Sequence, residues 1–259
     1  MLLQSINCKL ELETMNIQLV VFDMAGTTVR DDDAVNLCLR EALAPVAAVS
    51  RADVNAVMGL PKPVAIRELL GTQLSGRKTV VPEMVAAIHD DFLARMLRFY
   101  RTGPGVEPMP HAVEAFHQLK EAGVSVALDT GFSRPIVDAV LTRLGWENGL
   151  LLDATVASDE VPRGRPHPDL IFKAMELTGV TDPTAVAKVG DTPSDLLEGT
   201  AAGCGLVVGV TYGTHTREEL APHPHTHLID SLRELPTLVF ENASGAAPRH
   251  LSPATHGPR

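Results

Sequence analysis

The stretch Ile17-Gln18-Leu19-Val20-Val21-Phe22-Asp23-Met24-Ala25-Gly26-Thr27-Thr28 decides how this chain reads. A short apolar run ends directly in an aspartate and then in a Gly-containing turn. A run that apolar predicts a strand buried on both faces, as in a parallel sheet. In open α/β sheets ligands bind at the carboxyl ends of the strands, which puts Asp23 at the mouth of a site. A carboxylate there can bind a divalent cation and can also attack phosphorus to form a phosphoaspartate. The plainer reading, an aspartate that ends a strand and starts a turn, has equal weight on this stretch alone.

Outward from it, further strands are expected at Val124 to Leu128, Ala154 to Ala157, Ala185 to Val189 and Leu206 to Val210. Helix-period segments lie between them, at His111 to Ala122, Arg134 to Leu144, Pro168 to Thr178 and Ser194 to Ala202. That alternation predicts a doubly wound α/β sheet. Residues 31–102 break it: Val85, Ile88, Phe92, Leu93, Met96 and Leu97 fall on one helical face, and Gly103-Pro104-Gly105 ends the segment. The expected organisation is an α/β core over residues 15–30 and 103–242 and a helical insert over 31–102. Residues 1–14 are an N-terminal extension, with Met15 an alternative start, and 243–259 a disordered tail rich in Ala, Pro, His and Gly.

Composition narrows the function. The 259 residues carry a net charge of -10 with 4% aromatics, which argues against a nucleic-acid surface and against base stacking. Cys8, Cys38 and Cys204 are odd in number and widely spaced, so neither a disulfide framework nor a zinc site is expected, in keeping with a cytoplasmic location. No apolar run approaches the roughly 20 residues that cross a bilayer, and the amino terminus lacks the basic start of a signal peptide. Asp31-Asp32-Asp33 reads as a solvated helix start and His223, His225 and His227 as a surface row. Gly199 to Gly205 does not fit a dinucleotide loop, and Cys204 reads as a packing residue.

Three more segments end in chemistry. Leu128-Asp129-Thr130-Gly131 offers a hydroxyl and backbone N–H groups for phosphate oxygens. Gly164-Arg165-Pro166 supplies a cation. Gly190-Asp191-Thr192-Pro193-Ser194-Asp195 brings two carboxylates, suited to completing a Mg²⁺ shell, with capping of the following helix the competing role for Asp195.

Four such strand-end segments in this order resemble the haloacid dehalogenase superfamily, from about Ile17 to Asp230, with the helical insert where that superfamily places its cap. Phosphatases of the superfamily carry a second Asp two residues after the nucleophile; here that residue is Ala25, which cannot protonate a leaving alcohol. Met58-Gly59-Leu60-Pro61-Lys62 in the insert is similar to the phosphonatase family, whose cap lysine forms an imine with phosphonoacetaldehyde. The departing carbon then leaves as an enamine and needs no acid, so Ala25 and Lys62 are mutually consistent. Imine formation needs a neutral amine, whereas a free lysine has a pKa of about 10.4; burial and a cation such as Arg67 are expected to favour the neutral form.

The resemblance implies Mg²⁺ held by Asp23, the Ala25 carbonyl and Asp191, phosphoryl contacts from Thr130, Gly131 and Arg165, Asp195 in support, and a homodimer paired through the caps. Ala65 stands where the phosphonatases carry a histidine that handles protons, and His89 is a substitute within the insert. Two other functions stay open: a Mg²⁺-dependent phosphatase acting on a small phosphate ester, and a non-catalytic binding protein that keeps the fold.

Overall fold

The computed structural model describes residues 16–30, 32–74, 79–147 and 149–243. The expectations for the first fourteen residues, for Met15, for Asp31 and for the tail beyond residue 243 lie outside the described residues. The elements run β1 (Leu19–Asp23), α1 (Ala34–Leu43), α2 (Arg51–Asn55), α3 (Lys62–Gln73), α4 (Pro82–Thr102), α5 (Ala112–Glu121) and β2 (Ser125–Thr130). They continue through α6 (Arg134–Leu144), β3 (Ala154–Ala157), α7 (Asp169–Thr178), β4 (Val186–Gly190), α8 (Pro193–Ala202), β5 (Leu206–Val210), α9 (Arg217–Leu220), β6 (His227–Ile229) and α10 (Leu235–Ala243). Every strand pairing is parallel, in the order β3-β2-β1-β4-β5-β6. This is the doubly wound α/β sheet that the sequence predicts.

The strand order reverses beside β1: the chain fills one side with β2 and β3, then returns to build β4, β5 and β6 on the other. That switch point opens a crevice at the carboxyl ends of β1 and β4, where Asp23 and Asp191 sit. β6 has no counterpart in the sequence reading. It is three residues long and pairs only with β5, so its alternation is too short to stand out beside the prolines near it.

Alternate residues of the strands face opposite layers. Val20 and Phe22 of β1, with Leu128 and Val189, join the larger apolar cluster that runs into α5, α6 and the helices α1–α4. Leu19 and Val21, with Ala127 and Val186, face the smaller cluster under α7. α4 buries Val85, Ile88, Phe92, Met96 and Tyr100, while Leu93 and Leu97 are half-buried at the margin of the stripe. The two passages between sheet and helical segment are stitched together: Arg30 N–H donates to Glu107 O at 2.9 Å, and Met109 N–H to Thr28 O at 2.8 Å.

Candidate active site

The register of β1 against β2 sets Asp23 beside Asp129, on the same face of the sheet. Two buried carboxylates at that spacing repel, and the fold places Arg165 between them and Lys188 against Asp129. Arg165 Nη1 donates to Asp23 Oδ1 at 2.6 Å, and its Nη2 donates to the Asp129 carbonyl at 3.0 Å and to the Asp129 carboxylate. Its Nε donates to Glu198 Oε2 at 2.9 Å. Lys188, paired with Val21 in the register and therefore on the same face, reaches the Asp129 carboxylate and lies 3.0 Å from Glu198 and 3.3 Å from Asp195. All of these side chains are buried.

Burial drives the titration of this cluster, and neighbours decide the sign. Burial, reinforced by the charge of Asp195 and only partly offset by Arg165, pushes the Asp23 carboxyl up to about 6. For Asp129 burial acts upward too, but Arg165 and Lys188 outweigh it and hold the carboxyl below its ordinary value. Glu198 is pushed up to about 8 by burial and by Asp129. Burial and Arg165 act to lower Lys188, yet Asp129, Glu198 and Asp195 carry it above its ordinary value.

Asp191 begins the turn after β4. Its Oδ1 accepts from Thr27 Oγ1 at 3.1 Å and its Oδ2 from Thr214 N–H at 2.6 Å. Burial, then the charges of Asp23 and Asp195, push its carboxyl up to about 8. Carboxylates raised in this way sit where positive charge is short, and the nearby oxygen donors are hard; the site fits a small divalent cation.

Asp23, Asp129 and Asp195 are the one group of three potential ligands that converge among the described residues. Arg165 and Lys188 already neutralise that group, so the better place for a cation is the side of Asp23 that faces Asp191. Asp195, expected in support of a metal, has both oxygens engaged. Oδ2 accepts from Thr192 N–H and Oγ1 at the start of α8, and Oδ1 lies 2.9 Å from Arg165 Nη1. Its capping role is the one the geometry displays.

Lys62 enters from the helical segment, and glycines explain how. A side chain at Gly59 would come within 2.4 Å of Thr192 Oγ1, and one at Gly131 within 2.7 Å of Leu60 O. The loop before α3 therefore presses its backbone onto the ends of β2 and β4. Lys62, at the first turn of α3, is 4% exposed, with Nζ 5.4 Å from the centre of the Phe132 ring. Arg67, the cation expected beside it, is exposed: five residues further along α3 the side chain lies on another face. His89, half-buried on α4, is held below its ordinary value by burial; Lys62 acts in the same direction, and Asp90 and Asp159 oppose it.

One cavity of about 370 Å³ gathers Asp23, Ala25, Lys62, Thr130, Gly131 and Arg165 among its lining residues. Asp191 and Asp195 are not in the lining; they stand behind it. Sequence reasoning missed Asp129, Lys188 and Glu198. The signals were present: a lone lysine inside the apolar strand Val186–Gly190, and a glutamate three residues after Asp195 on the same helical face.

The haloacid dehalogenase-like hydrolase family matches residues 17–203. A phosphonoacetaldehyde hydrolase from Bacteroides fragilis is 30% identical, covering 89% of this chain and 90% of the relative. Another from Bordetella pertussis is 31% identical, over 88% and 92% of the two chains. Among solved structures, a phosphonoacetaldehyde hydrolase-like protein from Oleispira antarctica superposes with a TM-score of 0.77 at 23% identity, covering 94% of this chain and 97% of that one.

Proposed function

We propose that this chain, which belongs to the haloacid dehalogenase-like hydrolases, cleaves the carbon–phosphorus bond of phosphonoacetaldehyde or a close analogue. The observation that carries the reading is the convergence of Asp23, from the sheet, and Lys62, from the helical segment, on a single cavity whose remaining lining includes no second aspartate at position 25.

In this reading Lys62 Nζ adds to the substrate aldehyde and water is lost, giving an imine. Asp23 attacks phosphorus; the C–P electron pair moves into the imine and the carbon fragment departs as an enamine. Protonation and hydrolysis of the enamine release acetaldehyde, and water cleaves the aspartyl phosphate. Thr130, Gly131 and Arg165 position the phosphoryl group. Arg165, through its bond to Asp23 Oδ1, also orients the nucleophile and favours its charged form.

Asp23, the Ala25 carbonyl and Asp191 would hold Mg²⁺, which when bound offsets the phosphoryl charge. His89, kept neutral by burial within the electrostatic reach of Lys62, is the residue proposed to carry protons in place of the histidine replaced by Ala65. Pairing of two copies through the helical segment belongs with this reading, and Leu37 and Val64 there are 47% and 38% exposed. Sedimentation as a monomer at micromolar concentration would remove it.

The location proposed is cytoplasmic; among the described residues no helix is long and apolar enough to cross a membrane. The deciding experiment incubates protein, phosphonoacetaldehyde and borohydride, then maps the modified residue. A reduced adduct on Lys62, phosphate release, and loss of that release in Asp23→Asn are the expected results. Phosphate release from simple esters with no adduct on Lys62 would make the chain a phosphatase instead; no turnover of either class would make it a binding protein.

A further inference from the structure

The cavity extends well past the reacting groups. A two-carbon phosphonate occupies on the order of 100 Å³, a few times the roughly 30 Å³ share of one water, against a cavity of about 370 Å³. The excess volume on the helical-segment side is lined by Val35, Asn36, Asn55 and Met58, with Arg51 and Asp33 at the rim.

A chain of hydrogen bonds in that wall has a fixed direction. Arg40 Nε can only donate, and it donates to Asn36 Oδ1 at 2.8 Å. The Asn36 amide nitrogen must then be the other terminal atom, and it donates to the Arg51 carbonyl at 3.0 Å, which can only accept. The same nitrogen donates to Asn55 Oδ1 at 2.6 Å. Both ends of the chain being fixed, neither amide can be turned over without setting donor against donor. Asn36 itself is 1% exposed and fully committed. Asn55, a cavity-lining residue, is left with its amide nitrogen as a donor, and among the described residues nothing accepts from it.

The charges nearby narrow what it could meet. Arg51 Nη2 lies 2.9 Å from Asp33 and its Nε 3.0 Å from the same carboxylate, while Arg30 is paired with Glu107. Both cations on this side of the cavity already have carboxylate partners, so a ligand carboxylate would find no uncommitted one. A neutral oxygen acceptor meets the Asn55 donor without that cost.

We infer that Asn55 determines substrate specificity by donating to a neutral oxygen carried beyond the substrate's carbonyl carbon, and that the preferred substrate class is 2-oxoalkylphosphonates with such a substituent. The inference rests on the imine reading of Lys62, since Lys62 would then hold the carbonyl carbon in the cavity that Asn55 also lines. The overall reaction is R–CO–CH₂–PO₃²⁻ + H₂O → R–CO–CH₃ + HPO₄²⁻. The C–P bond breaks, the carbon keeps the electron pair and takes a proton, and phosphorus takes an oxygen from water.

The test compares kcat/KM for 3-hydroxy-2-oxopropylphosphonate and for 2-oxopropylphosphonate, which differ by the one oxygen, with phosphonoacetaldehyde alongside. The wild-type protein is expected to favour the hydroxylated ketone by about 5- to 100-fold, the range for a partly buried donor left unpaired. In Asn55→Leu, close in volume, and in Asn55→Ala, that ratio falls to within about twofold of unity. A wild-type ratio near one, or a ratio that survives both substitutions, overturns the inference; the wild-type ratio decides it even if neither variant folds. Turnover of phosphonoacetaldehyde with neither ketone used overturns the Asn55 assignment and leaves the C–P reading standing. Absence of turnover with all three, and of a borohydride adduct on Lys62, removes both.

Discussion

Gly213 follows β5 in a loop that no motif singles out, yet its lack of a side chain holds Asp191 in place. A Cβ built there would lie 2.3 Å from Asp191 Oδ2 and 2.6 Å from Gly26 O. In Gly213→Ala the carboxylate must retreat from 2.3 Å to ordinary contact at 3.4 Å, a shift of about 1 Å, because the backbone oxygen behind the new methyl blocks the other direction. That shift stretches the 2.6 Å bond from Thr214 N–H and moves an oxygen proposed to bind Mg²⁺. A misplacement of about 1 Å in a catalytic constellation costs roughly 10²-fold. Overpacking a tight site costs about 1–3 kcal/mol of stability. The assay is steady-state phosphate release titrated with Mg²⁺: kcat/KM is expected to fall about 100-fold and the Mg²⁺ needed for half-activity to rise. Gly71→Ala is the control, since nothing lies within 4 Å of a Cβ there. In the exposed last turn of α3 it should stabilise by about 0.4–1 kcal/mol and leave activity alone. A Gly213→Ala protein with kcat/KM within threefold of wild type and an unchanged Mg²⁺ dependence would refute the role given to Asp191.

Three other outcomes follow from the same geometry. Ala25→Asp adds an acid to the cavity lining and is expected to raise kcat/KM on ethyl phosphate by about 10²-fold or more; no gain on any alkyl phosphate would show that leaving-group protonation is not what position 25 lacks. Glu198, raised to about 8, is largely protonated at neutral pH, so Glu198→Gln should leave the pH 7 melting temperature within a few degrees. Lys188→Met, which strips buried carboxylates of a cation, should cost about 3–5 kcal/mol; equal losses in the two variants, measured by denaturant melts, would contradict the charge assignment. In chelator, stability should fall as pH rises from about 4 to about 8. Asp23, Asp191 and Glu198 are raised in the folded state above their ordinary values, so the folded state binds more protons across that window and loses its advantage as they ionise. Mg²⁺ should flatten the slope, and a melting temperature that climbs from pH 5 to pH 8 in chelator would be the wrong sign.

Most of the sheet was legible because buried parallel strands are near-continuous apolar runs, and five of six appear as such between helical periods. The Asp23 segment was legible because an aspartate directly after such a run is costly unless it is used. Lys62 was legible only through its likeness to a known segment: two prolines flank it, and nothing local distinguishes it from a surface lysine. What buries it is the contact of Gly59 and Leu60 with Gly131 and Thr192, residues about 70 and 130 positions away in the chain. Arg67 was misjudged for a related reason, since nearness in sequence along a helix does not mean a shared face.

The buried charge network stayed hidden for a deeper reason. Asp129, Lys188 and Glu198 act as partners only because parallel register sets Asp23 level with Asp129 and Val21 level with Lys188. Register is a property of the assembled sheet, and a slip of one residue would turn Lys188 to the opposite face, against the larger apolar cluster. The same register then limits the chemistry. Burial raises the Asp23 carboxyl, and because Arg165 and Lys188 are shared with Asp129 and Asp195, an arginine at 2.6 Å only partly offsets it. Asp23 therefore keeps an unmet need for positive charge on the side facing Asp191. A phosphoryl group arriving with its own negative charge deepens that need, so binding of cation and substrate should be mutually reinforcing, each tightening the other by the same factor.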